Sequence, residues 1–156
     1  MAGGALLRRS DGASRIRIGE LEAHGREAAR DVGAGARIVL AADVDATTAG
    51  SVPFAPCAKP SQPQRADARK LCAHSPMRRR GFGRALMTAA AARAFEAGRT
   101  LLTLDTREAS DAVRLHRRGG GLEAGGIPGD AFDPNGATRA GMVFVHTRLA
   151  RPVERA

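Results

Sequence analysis

The chain has 156 residues, with 25 basic and 16 acidic side chains, a formal net charge of +9 and neither Trp nor Tyr. This length suits one domain with its own core. Two cysteines, Cys57 and Cys72, are too few for a disulfide framework or a thiolate metal site. No run of 18 apolar residues and no signal-peptide pattern occurs, so we expect a cytoplasmic protein.

The charge and the composition limit the ligand. A basic balance favours an anionic ligand, or nucleic acid. The lack of Trp and Tyr, with only five Phe, argues against single-stranded nucleic acid, which stacks its bases on aromatic side chains.

The first part of the chain predicts few regular elements. Residues 1–18 are expected to form a loose N-terminal tail, with room for a short strand at residues 15–18, and residues 19–31 have helical composition. Residues 38–42 predict a buried strand, residues 43–48 a turn, and residues 49–56 a second strand. The prolines within residues 57–64 predict a loop.

The clearest pattern lies in residues 65–98. Residues 66–73 are mostly small or apolar and predict a strand, which ends before Pro76 because proline has no N–H for a sheet ladder. A helix is predicted to begin at about Gly83 and to stop at Gly98. Its amphipathic stripe consists of Met87, Ala90, Ala91, Ala94 and Phe95.

The turn between this strand and this helix is suited to an anion. Gly81 and Gly83 allow backbone angles that let successive N–H groups turn inward, and the helix N-terminus favours negative charge. Residues 65–84 contain seven basic residues and one acid, Asp67. The turn matches neither Walker A nor the dinucleotide motif. It therefore predicts a pyrophosphate site, with a plain connection bearing solvated arginines as the alternative.

The second half predicts a mixed fold. Residues 100–105 read as a buried strand, residues 111–118 as a short basic helix, and residues 122–127 and 142–149 as strands on either side of a turn at residues 133–136. Strands alternate with helices and end in an antiparallel pair, so the predicted class is α/β, with a mixed, mainly antiparallel sheet flanked by helices. Residues 19–149 are predicted to be a single domain, and residues 150–156 a C-terminal tail.

The central residues also carry a family resemblance. Arg78-x-x-Gly81-x-Gly83 after a strand resembles the acetyl-CoA motif, R/Q-x-x-G-x-G/A, of the GNAT N-acetyltransferases. RKLCAHSPMRRRGFGRALM, followed by GRTLLTLDTR and Ile127-Pro128-Gly129, is similar to the small-molecule branch that includes tabtoxin-resistance acetyltransferases. The resemblance spans about residues 19–149 and is strongest over 65–107. Relative to the family, the strand and helix region before residue 38 is short.

The resemblance implies an activity and partners. It implies the GNAT fold and transfer of an acetyl group from acetyl-CoA to a small-molecule primary amine, by direct attack on the thioester. Acetyl-CoA would be the cosubstrate, with no metal. We expect a small-molecule amine and coenzyme A as partners, expect no membrane or nucleic acid, and allow for a homodimer.

The resemblance also implies how coenzyme A would bind. Backbone groups of Leu71, Cys72 and Ala73 would hold the pantetheine arm. The amides of residues 79–84 would cradle the pyrophosphate, with charge-assisted contacts from arginine side chains. The turn residues concerned are Arg78, Arg79, Arg80, Gly81, Phe82, Gly83 and Arg84.

Asp67 is the first candidate catalytic residue. It stands where many family members carry a strand carboxylate that acts as a base through water. Its basic surroundings would lower its pKa and make it a poorer base. They equally support an ion pair with Arg65 or Arg69.

His116 is the second candidate and departs from the family. It follows residues 112–115, where the pattern A-x-x-L-Y has a tyrosine that protonates the departing thiolate. Imidazole can donate a proton near neutral pH, so His116 could take that role. The alternative is a surface histidine on a basic helix. Gly121 replaces an aromatic residue, which predicts loose packing under this helix.

Two other functions remain open at this point. The missing tyrosine, the short start and the glycines at 119–121 would fit a degenerate acyl-CoA-binding domain without turnover. The charge alone would fit a nucleic-acid-binding module. His24, His74 and His146 are isolated in sequence and predict no metal site. Residues 105–107 end a strand and could touch an acceptor.

Overall fold

The computed structural model describes residues 5–7, 16–20, 37–45, 47–69 and 71–150. Among these residues the strands are β1 Ala5–Leu7, β2 Ile16–Glu20, β3 Ile38–Val44, β4 Thr47–Pro56, β5 Arg65–Ala68, β6 Cys72–Ala73, β7 Leu101–Arg107, β8 Leu122–Phe132 and β9 Arg139–Arg148. The helices are α1, Phe82–Glu96, and α2, Asp111–Arg118, with a 3-10 turn at Ser75–Met77.

One sheet contains all of these strands, in the order β1-β2-β3-β4-β5-β7-β9-β8, and β6 also pairs with β4. The β5–β7 pair is parallel and the other pairs of the described residues are antiparallel. The parallel pair follows from the helical crossover through α1. The predicted mixed, mainly antiparallel α/β fold is therefore confirmed.

The start of the chain differs from the prediction. A loose tail was expected at residues 1–18. This prediction is wrong at two places, because β1 and the first residues of β2 lie within that range. β2 pairs along β3 from Ile16–Val44 to Glu20–Leu40, and so satisfies backbone groups on that edge of β3. The short strand allowed at residues 15–18 is confirmed by β2. Residues 19 and 20 of the expected helix belong to β2, and residues 21–31 lie outside the described residues.

The main core lies between α1 and the centre of the sheet. Leu86, Ala90 and Ala94 are buried along one side of α1, at a spacing of four residues. Gly50 of β4 allows this close approach, since a Cβ there would lie 3.3 Å from Leu86 Cδ1 and 2.6 Å from the carbonyl oxygen of Cys72. The predicted stripe was thus right at Ala90 and Ala94 but omitted Leu86. The helix stops as predicted at Gly98, whose φ is +77°.

The strand predicted at residues 66–73 is divided in two. Phe54 of β4 pairs with Ala68, and Ser51 pairs with Cys72, so three steps along β4 correspond to four steps from β5 to β6. The extra residue is a bulge, which bends the strand. β5 pairs with β7 only as far as Asp67–Thr103, whereas β7 continues to Arg107. The sheet therefore opens beyond the Asp67–Thr103 pair, and this opening is called the splay below.

The position of Gly121 is closely packed. A Cβ at Gly121 would lie 2.8 Å from Val145 Cγ1 and 2.9 Å from the carbonyl oxygen of His116. The side chain of Val145 and the last turn of α2 already occupy the space that an aromatic ring would need. The loose packing predicted under α2 is therefore not found at Gly121 itself, but a cavity does lie beside it, between α1 and α2.

Candidate functional site

The basic turn between β6 and α1 has an irregular backbone. Arg79 has φ = +60° and Gly81, the N-cap of α1, has φ = +87°. A left-handed conformation at a residue with a side chain is unfavourable and is characteristic of ligand-binding segments. Left-handed residues are also components of the concave amide arrangements that hold anions. The sequence motif thus corresponds to an unusual local geometry.

Among the described residues, no side chain caps the amides at the start of α1, where Gly81 is the N-cap. The first turn of the helix contains no acidic residue. Arg78, Arg79, Arg80 and Arg84 are exposed around this turn. Orphan amides, the helix dipole and the arginine charges therefore all favour negative charge at one place.

Phe82 and Gly83 have structural tasks at this turn. The Phe82 ring is 3% exposed and belongs to the core, so the residue can offer a ligand its amide but not its ring. A Cβ at Gly83 would lie 3.0 Å from Leu115 Cδ2 and 3.7 Å from Leu71 Cδ2. Gly83 thus allows α1 to pack closely against α2 and the chain before β6.

The residues expected to hold a pantetheine arm lie beside the splay. Cys72 and Ala73 form β6, and Leu71 precedes it. β6 pairs with β4 on one edge, and among the described residues no strand pairs with its other edge. A strand edge of this kind presents backbone N–H and C=O groups that an extended ligand can use.

A cavity of about 260 Å³ opens at the splay and is called the splay cavity below. Its polar lining comes from three strands and includes Arg65, Asp67, Thr103, Asp105 and His146, and the Phe144 ring also lines it. Asp67 pairs with Thr103, and Thr103 pairs with His146, so these three side chains form one row on one face of the sheet.

Asp67 is held by two neighbours. Its Oδ1 atom accepts hydrogen bonds from Arg65 Nε at 2.6 Å and from Thr103 Oγ1 at 2.5 Å. Burial raises the pKa of Asp67, but the Thr103 hydrogen bond and the Arg65 ion pair outweigh burial, so its pKa lies below the ordinary value. The predicted ion pair is therefore present, with Arg65 as the partner. A carboxylate that stays ionised at neutral pH is a weak base.

His116 lies elsewhere. It is 7% exposed, so the surface alternative is wrong. It lines a second cavity, of about 270 Å³, between α1 and α2, together with Leu102 and Thr147. Leu102 pairs with Thr147, and the next pair along the two strands is Thr103 with His146. Because successive side chains of a strand point to opposite faces, the cavity at Leu102 and Thr147 lies on the face opposite to the splay cavity. Burial lowers the pKa of His116.

Sequence reasoning missed three residues of the splay cavity. It treated His146 as isolated and did not single out Thr103 or Phe144. The signal was the alternation within TLLTLD and MVFVHTRL, which places every second side chain on the same face. Pairing of β7 with β9, which the sequence does not show, brings these alternating residues together.

Two classes of feature are absent from the described residues. No group of three or more His, Cys, Asp or Glu side chains in the described part of the chain could hold a metal ion. Within the same residues, no helix is long and apolar enough to cross a membrane.

Comparisons with known proteins agree with this architecture. A model of the acetyltransferase (GNAT) family matches residues 17–120, more than half of the chain. No curated protein sequence matches the chain.

Several solved structures share the fold at low sequence identity. A proposed acetyltransferase from Salmonella typhimurium, solved with its cofactor acetyl-CoA, is 14% identical with a TM-score of 0.70, over 83% of this chain and 76% of that one. A Bacillus subtilis acetyltransferase in complex with CoA is 17% identical with a TM-score of 0.68, over 86% and 99% of the two chains. A ribosomal-protein-alanine N-acetyltransferase from Brucella melitensis is 20% identical with a TM-score of 0.68, over 77% and 73%.

Proposed function

Because the chain belongs to the GNAT family of acetyltransferases, we propose that it is an acetyl-CoA-dependent N-acetyltransferase with a small-molecule primary amine as acceptor. The observation that carries the proposal is the basic turn, where Arg79 and Gly81 are left-handed and the first amides of α1 lack a side-chain cap. The proposal includes membership of the small-molecule branch that residues 65–107 resemble, and a cytoplasmic location.

Coenzyme A would bind along the turn and then along β6. The amides of residues 79–84 would hold the pyrophosphate, with Arg78, Arg79, Arg80 and Arg84 around it. The pantetheine arm would follow the backbone of Leu71, Cys72 and Ala73, on the edge of β6 that faces the splay. The thioester would then lie in the splay, next to the cavity that contains Asp67. Two structures with this fold contain acetyl-CoA or CoA, which supports this assignment.

The reaction we propose is direct transfer. The amine nitrogen attacks the thioester carbon, the carbonyl oxygen becomes an oxyanion, and the carbon–sulfur bond breaks to release coenzyme A. Placing the two reactants together removes much of the entropic part of the barrier. Asp67 would contribute a fixed negative charge near the incoming ammonium. His116 is kept as a proposed acid for the thiolate, from the opposite face of the sheet.

Calorimetric titration with acetyl-CoA and with free coenzyme A tests the proposal. We expect saturable binding of both ligands, and release of free thiol when acetyl-CoA is mixed with an amine acceptor. Binding without turnover over a broad amine panel would instead identify an acyl-CoA-binding domain. Absence of binding, together with salt-dependent association with mixed-sequence DNA, would identify a nucleic-acid-binding module.

A further inference from the structure

The row of side chains across the splay cavity contains a base that the family resemblance does not assign. We infer that the splay cavity binds a primary alkyl ammonium attached to an apolar group, and that His146 accepts the proton which this ammonium must lose. The inference rests on the proposed function, and it names the acceptor class and a catalytic residue of the same site.

The position of His146 is set by strand pairing. Thr103 of β7 pairs with Asp67 of β5 on one side and with His146 of β9 on the other. Neighbouring strands lie about 4.8 Å apart, so the Cα atoms of Asp67 and His146 are separated by roughly 10 Å. Thr103 lies between them in the row, so an ammonium group that lies over Thr103 can donate hydrogen bonds to both sides. All three side chains line the same cavity.

Asp67 and His146 differ in what they can do there. Both contacts of Asp67 use Oδ1, and they hold the group as a carboxylate. His146 is half-buried, and within the described residues its imidazole makes no hydrogen bond, so its nitrogens are available. A neutral imidazole is the side chain best suited to accept a proton near neutral pH. Asp67 therefore attracts the ammonium, and His146 deprotonates it.

The charged groups around His146 are compatible with this role. Arg65 lines the cavity from β5 but is paired with Asp67. Arg69 lines the cavity from the bulge and is exposed. Asp105 of β7 lines the cavity, is exposed, and has no ion pair among the described residues. The β8 residue at the cavity is the uncharged Ala124. Asp105 thus offsets the charge of Arg69 and gives a cationic acceptor a second carboxylate besides Asp67.

The apolar part of the acceptor is inferred from the next row of the sheet. Asp105 pairs with Phe144, and Phe144 pairs with Gly125. The Phe144 ring is 38% exposed, which leaves a surface for a hydrophobic group beside the polar row. Gly125 has no side chain, and a Cβ there would have no heavy atom within 4 Å. An apolar group can therefore lie on Phe144 while its ammonium reaches Asp67 and His146.

The proton balance of the step is complete. The ammonium gives one proton to His146, and its nitrogen lone pair forms a bond to the thioester carbon. When the tetrahedral intermediate collapses, the carbon–sulfur bond breaks and His116, the acid proposed above, gives a proton to the thiolate. The second proton of the nitrogen passes to water, from which His116 is reprotonated. The products are the N-acetyl amine, coenzyme A and a protonated His146, which returns its proton to water.

The test uses two acceptors of the same shape. Phenethylamine is an ammonium ion at neutral pH, whereas O-benzylhydroxylamine carries the same ring, replaces one methylene with oxygen and is uncharged. Because only the first needs a base, His146→Asn should lower kcat/KM for phenethylamine by about 10²-fold or more and change that for O-benzylhydroxylamine only several-fold.

Three controls make the result decisive. Acetyl-CoA affinity and thermal melting of His146→Asn show whether the variant is folded, and His146→Gln is measured beside it. Phe144→Ala should raise KM for phenethylamine with little change in kcat. Three outcomes would each overturn this inference. His146→Asn could lose equal activity with both acceptors or could keep the rates of the parent, or the parent could bind acetyl-CoA without acetylating phenethylamine. A parent that does not bind acetyl-CoA would overturn the proposed function itself.

Discussion

Gly81→Ala is the substitution that tests the basic turn most directly. Gly81 has φ = +87°, and a Cβ added there would have no heavy atom within 4 Å. The change therefore creates no clash, and its whole cost is backbone strain. For a residue with a Cβ, the left-handed conformation costs about 1–2 kcal/mol. The variant should fold, with its free energy of unfolding lowered by up to that amount, and any strain that the free protein relieves by relaxing the turn should appear as lost affinity instead.

Gly98→Ala is the matched control. Gly98 has φ = +77° and equally open surroundings, and it ends the same helix at the opposite end from the turn. Its substitution should cost the same 1–2 kcal/mol of backbone strain. It should leave the amides of residues 79–84 in place. The two variants therefore share a stability defect and differ only in which end of α1 they disturb.

The two variants should separate in coenzyme A binding. If the turn of Gly81→Ala relaxes out of the left-handed conformation, the ligand must restore it on binding. A cost of 1–2 kcal/mol then lowers the affinity about 5–30-fold, since 1.4 kcal/mol corresponds to a factor of ten. Gly98→Ala should bind coenzyme A as the parent does.

Urea titration and calorimetric titration with coenzyme A measure the two effects. A Gly81→Ala variant that keeps the stability of the parent, and so has relaxed out of the left-handed conformation, yet binds coenzyme A as well as the parent would refute the role of the turn. Equal loss of affinity in both variants would mean that the effect comes from general loosening of α1. Gly83→Ala is unsuitable for this test, because its Cβ would lie 3.0 Å from Leu115 Cδ2 and would disturb the packing of the two helices.

Two further predictions concern charge. The double variant Arg78→Gln, Arg79→Gln should bind coenzyme A more weakly and with less salt dependence, and its loss of affinity should be smaller for dephospho-coenzyme A. As a control, the double variant of the exposed pair, Arg114→Gln, Arg118→Gln, should leave both the affinity and its salt dependence unchanged. Equal effects of the two double variants would mean that binding depends on net charge alone. Burial lowers the pKa of His116, so as pH falls this side chain is protonated in the unfolded chain before it is protonated in the folded chain. The free energy of unfolding therefore decreases as pH falls below about 6.5. His116→Gln should therefore flatten the decline in free energy of unfolding from about pH 6.5 to 5, and an unchanged decline would contradict the assignment.

The backbone geometry of the basic turn could be predicted because its determinants are local. Gly81, the arginines around it and Pro76 before it are close in sequence, and each restricts or permits particular backbone angles. The helix stop at Gly98 was predictable for the same reason. The strand before the turn was predicted as continuous, since its division depends on a shift in pairing with β4 that no local pattern records.

The splay cavity could be predicted only in part because its residues are distant in sequence. Asp67, Thr103 and His146 belong to three strands, and two pairings bring them into one row. Alternation within each strand shows which side chains share a face, but not which strands are neighbours. His116 shows the same limit, since its burial depends on packing of α2 against the sheet, whereas the basic residues around it suggested a surface helix.

The Asp67–Thr103 pair also sets where the sheet opens. It is the last pair between β5 and β7, and the Thr103 hydroxyl donates a hydrogen bond to Asp67 across it. Beyond it, the bulge turns the chain away from β7 while keeping it paired with β4. The same carboxylate thus closes the end of the splay and presents its charge to the splay cavity. A group held in this way is well placed to attract a cation, but because it is held as an anion it is poorly suited to remove that cation's proton. In the reaction that we propose, a second group must then accept the proton, and His146 is the nearest described residue in that row that can do so.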